Sequence, residues 1–85
     1  MIQEHDCIVL TEDIHEEGLR AGDVGTVVHI HPEGAGYEVE FMTLTGRTVA
    51  VATLSPSQVR AVGPRDVSLV RELATPLRGS VSRLA

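Results

Sequence analysis

Two histidines stand one residue apart at His29 and His31, and His5 and Cys7 share the same spacing. In an extended strand that spacing puts both side chains on one face. Three or four such ligands brought together could hold zinc. Structural zinc favours several thiolates, and Cys7 is the one cysteine of the chain. These residues therefore read as polar strand positions facing water, and no metal ligand is assigned. Glu38 and Glu40 also share a strand face, an arrangement that could serve acid–base chemistry. The strict alternation Tyr37-Glu38-Val39-Glu40-Phe41 accounts for them more simply, as the solvent face of a half-buried strand. No nucleophile, histidine and acid stand in a catalytic order. Gly22-x-x-Gly25 is no phosphate cradle, because no helix is expected after it. We expect no enzyme, no cofactor and no metal.

The remaining charged cluster suits recognition better than reaction. Glu12, Asp13, Glu16, Glu17 and Asp23 crowd one loop, opposed only by Arg20. Such a patch can steer a basic protein surface; the plainer alternative is a solvated loop. The net charge is −5, and residues 1–60 carry ten acids against three arginines, a balance of −7. That body repels phosphates and argues against nucleic acid as a partner. Glu16, Glu17, Arg20 and Asp23 are the candidate partner-binding residues, helped by an open strand edge and a small-residue face at Ala50 and Ala52. With no secretory signal, lipid motif or long apolar stretch, we expect a cytoplasmic protein with a protein partner and no membrane contact. A homo-oligomer stays open.

The elements that must position these residues are short. With 85 residues the chain is one small domain, burying about 60% of the surface its unfolded form exposes. Tyr37 and Phe41 are its only aromatics, so Val, Ile and Leu must build the core, with little left to wall a deep ligand pocket. Cys7-Ile8-Val9-Leu10 reads as a first strand, with Cys7 a small core residue. Ile14 and Leu19 are expected to fold back from the acidic loop as plugs. Val24 to His31 is a second strand, with Val24, Thr26, Val28 and Ile30 on one face and Val27 and His29 on the other, subject to a bulge near Gly25. Pro32 to Gly36 turns the chain. Tyr37 to Phe41 forms a third strand. Thr48 to Leu54 forms a fourth, with Val49 and Val51 on one face and alanines on the other. Ser55-Pro56-Ser57-Gln58 starts a single 3₁₀ turn, and Val59 to Val62 closes the series. Beyond Gly63-Pro64, apolar residues at helical spacing predict a short amphipathic helix.

Together these parts predict an all-β fold, a small SH3-like barrel of about five antiparallel strands, with a 3₁₀ turn near 55–58 and a C-terminal helix. The barrel would span 1–62, the helix 63–77 and a flexible tail 78–85. The rival is an open, curled antiparallel sheet covered by that helix.

Four blocks, Val9 to Asp13, Gly22 to Val28, Gly36 to Phe41 and Leu54 to Arg60, resemble in order the short bacterial proteins of domain of unknown function 4926. The resemblance runs from about Met1 to Val62. It implies an SH3-like fold, no assigned activity and a paired protein partner encoded nearby, and it supplies no catalytic or binding residue. Gly22-Asp23-Val24-Gly25-Thr26-Val27-Val28 is also similar to the KOW-type motif of SH3-like domains, some of which touch RNA. Such domains usually carry Lys and Arg around this loop, where this chain has Glu16, Glu17 and Asp23. The functional expectation is a non-enzymatic protein-interaction module, in one form an antitoxin-like partner of an adjacent gene product. The alternatives are a KOW-like nucleic-acid-binding domain and a self-assembling structural piece.

Overall fold

Short β-branched runs set between turn residues form five antiparallel strands: β1 (Cys7–Leu10), β2 (Val24–Ile30), β3 (Tyr37–Met42), β4 (Thr48–Leu54) and β5 (Val59–Ala61). They appear in a computed structural model that describes residues 1–67, Glu72 and Leu73. The strands make one sheet in the order β4-β3-β2-β1-β5. Residues from both ends of that order share one core: Ala50, Ala52 and Leu54 of β4 pack with Ile8 and Leu10 of β1 and Val59 of β5, around Val27, Val39 and Phe41. The sheet must therefore curl.

It does not close. β4 pairs with β3 and β5 pairs with β1, and no ladder joins β4 to β5. The expected all-β fold of five antiparallel strands is present, and the sheet they form is open and curled. The cause lies at the corner. The 3₁₀ turn Pro56–Gln58 swings the chain off β4 and into register with β1, where Leu10 faces Val59. Pro56 lacks an N–H, and the Gln58 side chain accepts from the Ser55 N–H at 2.9 Å, as a capping residue does. The expected 3₁₀ turn is present; the helix expected over 63–77 falls mostly outside the described residues. Within its described part, Pro64 and Arg65 form a turn closed by the Asp66 N–H to the Gly63 carbonyl at 3.1 Å.

Three expectations about faces are corrected. Gly25 and Val27 are the buried positions of β2, while Val24 is 51% exposed and Val28 39% exposed. A register shift between Val27 and His29 then turns Ile30 back onto the core. The bulge thus sits beyond Val27, not at Gly25. On β4 the alanines point inward. Ala50 faces Phe41 and Ala52 faces Val39 across the ladder, so these small residues make room for the ring, and no partner can use them as a surface. Cys7 is exposed, because burial on β1 starts one residue later at Ile8.

Just past β5, Asp66 accepts from both terminal nitrogens of Arg60 at 2.8 and 2.9 Å and from the Gly63 N–H at 2.6 Å. The Arg60 hydrogen bonds, then the Gly63 bond, hold its carboxyl well below the usual range, at about 2. A carboxyl depressed on folding stabilises above its unfolded pKa near 4, and that contribution is lost as pH falls from about 4 to 2. An NMR titration should place the Asp66 midpoint near 2. In Arg60→Ala it should rise toward about 4; an unmoved midpoint would rule out the Arg60 clasp as the cause.

Candidate interaction site

The acidic loop is built by its own carboxylates. Its base is closed by the Leu10 N–H to the Asp23 carbonyl and the Gly22 N–H to the Leu10 carbonyl, each 2.9 Å. Gly22 takes a φ of 96° there, a conformation that costs an L side chain. Higher up, Ile14 and Leu19 form an isolated bridge. Leu19 is buried and Ile14 packs against the core, so both plugs are in place. Asp13 accepts from the Ala21 N–H and Asp23 from the Arg20 N–H, both at 2.9 Å. Glu12 accepts from the Gln58 side chain at 3.0 Å, tying the loop to the turn before β5.

Of the four expected partner-binding residues, Asp23 is thus a bracing residue, and Arg20 is exposed nearby. Glu16 and Glu17 sit exposed on a single 3₁₀ turn, His15–Glu17. Among the described residues neither makes a hydrogen bond or ion pair through its carboxylate. They stand on one wall of a groove of about 480 Å³, formed by residues 12–17 and, opposite, by Val51 to Leu54 of β4 and by Gln58. Leu54 and Ala52 belong to the core; Val51 is 55% exposed. An open strand edge was expected from the sequence, but which edge faces the acidic loop is a product of the curl. No local pattern in Thr48–Leu54 signals it.

Glu40 accepts from the Thr48 hydroxyl at 2.7 Å, while Glu38 lies 3.3 Å from Nε2 of His31. The two carboxylates thus engage different neighbours, one on β4 and one just past β2. His29 and His31 meet edge to face, ring centroids 5.0 Å apart, and Glu4 lies 3.9 Å from His29. His5 anchors its backbone N–H on the Val27 carbonyl at 2.7 Å. Among the described residues no group of three or more His, Cys, Asp or Glu side chains is disposed to hold a metal, and no helix is long and apolar enough to cross a membrane.

A family model matches residues 4–61, which include all five strands; the family is described as a domain of unknown function (DUF4926). No curated protein and no solved structure matches the chain.

Proposed function

Because the chain belongs to the DUF4926 family, whose description assigns no activity, we propose from its geometry that it is a non-enzymatic protein-interaction module, working in the cytoplasm and taking the basic surface of a partner protein. The observation that supports this reading is the groove beside β4, with the unengaged carboxylates of Glu16 and Glu17 on its wall. Their charge favours encounter with a basic surface. A partner that the module neutralises, encoded beside it, is one concrete form of the role. Nucleic acid fits poorly. The phosphate backbone would meet an acidic loop, and Arg60, one of the three arginines of residues 1–60, is engaged by Asp66.

The test is capture of partners from the host lysate by the tagged chain and by its Glu16→Lys/Glu17→Lys variant, with and without nuclease. A stoichiometric protein should survive nuclease and bind the variant about tenfold more weakly, since each exposed charge contact is worth up to about 1 kcal/mol. Equal affinity for the reversed variant would refute the role of the acidic wall. Recovered RNA, or partners lost with nuclease, would refute the protein-interaction reading itself.

A further inference from the structure

The two edges of the sheet are unequal. β5 has three residues with Arg60 at its centre, and Asp66 clasps that arginine. A short, charged edge of this kind resists pairing. β4 has seven residues, Thr-Val-Ala-Val-Ala-Thr-Leu, with no charge and no proline. Its one irregularity lies between Phe41 and Met42 of the partner strand, near the Thr48 end, and the ladder is regular from Ala50 to Leu54. Among the described residues no backbone group outside β3 and β4 hydrogen-bonds to Thr48–Leu54. Natural sheets rarely leave so long and uncharged an edge open.

We propose that the outer edge of β4 receives an extended, basic segment of another protein as a sixth strand, a deepening that rests on the interaction reading above. Backbone hydrogen bonds to Thr48–Leu54 supply the pairing, and alternate side chains supply the selection. On the groove side the added strand lies against the wall of Glu12, Asp13, Glu16 and Glu17. On the other face, Glu40 stands opposite Val51 and Glu38 opposite Thr53 on β3. Strands lie about 4.8 Å apart, so a Lys or Arg on the added strand reaches over Val51 or Thr53 to these carboxylates. Both faces of the edge are therefore acidic, and the complement is a strand with basic residues. A second copy of the chain fits badly, because its own body carries −7 over residues 1–60.

The experiment is amide hydrogen exchange by NMR on the full chain at low salt, alone and with a seven-residue peptide of alternating Lys and Val. Alternate amides within Thr48–Leu54 should slow by about tenfold or more as they gain partners. The matching Glu/Val peptide should leave them unchanged, and Val51→Lys, at an exposed position, should abolish the effect while the fold persists. Binding that shifts the acidic loop but leaves the β4 amides fast would overturn strand addition and leave the interaction reading standing. No binding of the Lys/Val peptide would overturn the basic-strand proposal, while the lysate capture judges the wider reading independently. Slow β4 amides in the free chain with a doubled mass would name a second copy as the occupant. Slow amides in a monomer that become fast on truncation after Val67 would name the chain's own C-terminal segment. Either result overturns the proposal.

Discussion

Replacing Phe41 by alanine should destabilise the chain by about 3–5 kcal/mol, a large share of its stability in water at 25 °C. Phe41 is the one phenylalanine of the sequence and is 3% exposed in the core. It lies on β3 between the inward faces of β2 and β4, opposite Ala50 and against the backbone of Gly25. Its neighbours are alanine and glycine, which have no side chain long enough to fill the space. Removing a buried Phe costs about 3–5 kcal/mol, and the cost is highest where the site cannot collapse. A chain of this size has a total stability of about 4–13 kcal/mol. Circular dichroism during urea unfolding measures the loss. A loss below about 1 kcal/mol would mean that Phe41 does not organise the core.

Gly25→Ala should destabilise by about 1–3 kcal/mol, with Gly25→Val worse. A Cβ at Gly25 would stand 2.5 Å from Cγ1 of Val39 and 2.7 Å from Cε2 of Phe41. Val39 is fully buried, and both are stiff side chains in a packed core, so neither can give way without moving its strand. Alanine gains about 0.5–1 kcal/mol from a stiffer unfolded chain, which the overlap outweighs. Combining Gly25→Ala with Val39→Ala tests the cause. The alanine at 39 vacates the space, so the double variant should be more stable than the two single losses added together. Strict additivity would place the cost of Gly25→Ala elsewhere than in this contact.

Local chemistry was enough to place the strands, the turns and the loop plugs. β-branched runs bounded by Gly, Pro and Asp leave few other readings for Cys7–Leu10 or Thr48–Leu54. In Tyr37–Met42, strict alternation with glutamate also told which face is inside, because a carboxylate is costly to bury. Where both faces carry apolar residues, that signal is missing. On β2 and β4, valines alternate with glycine, threonine or alanine, and a period of two names two faces without choosing between them. The choice was made by volume: Phe41 needs the space that Gly25 and Ala50 leave, so those faces turn inward and Val24, Val28 and Val51 turn out. Cys7 was misplaced for a similar reason, since burial follows where the curl carries each end of a strand and not the run of apolar letters. Closure, and the meeting of residues 12–17 with the free edge of β4, are equally beyond local pattern. They depend on how far five twisted strands curl and on a corner at Pro56–Gln58 that sends β5 to β1. The sequence by itself thus determined the elements, their order and the acidic character of the loop. Only the tertiary structure decided which faces are buried and which edge is left open beside that loop, because packing volume and sheet curl are properties of residues distant in the chain.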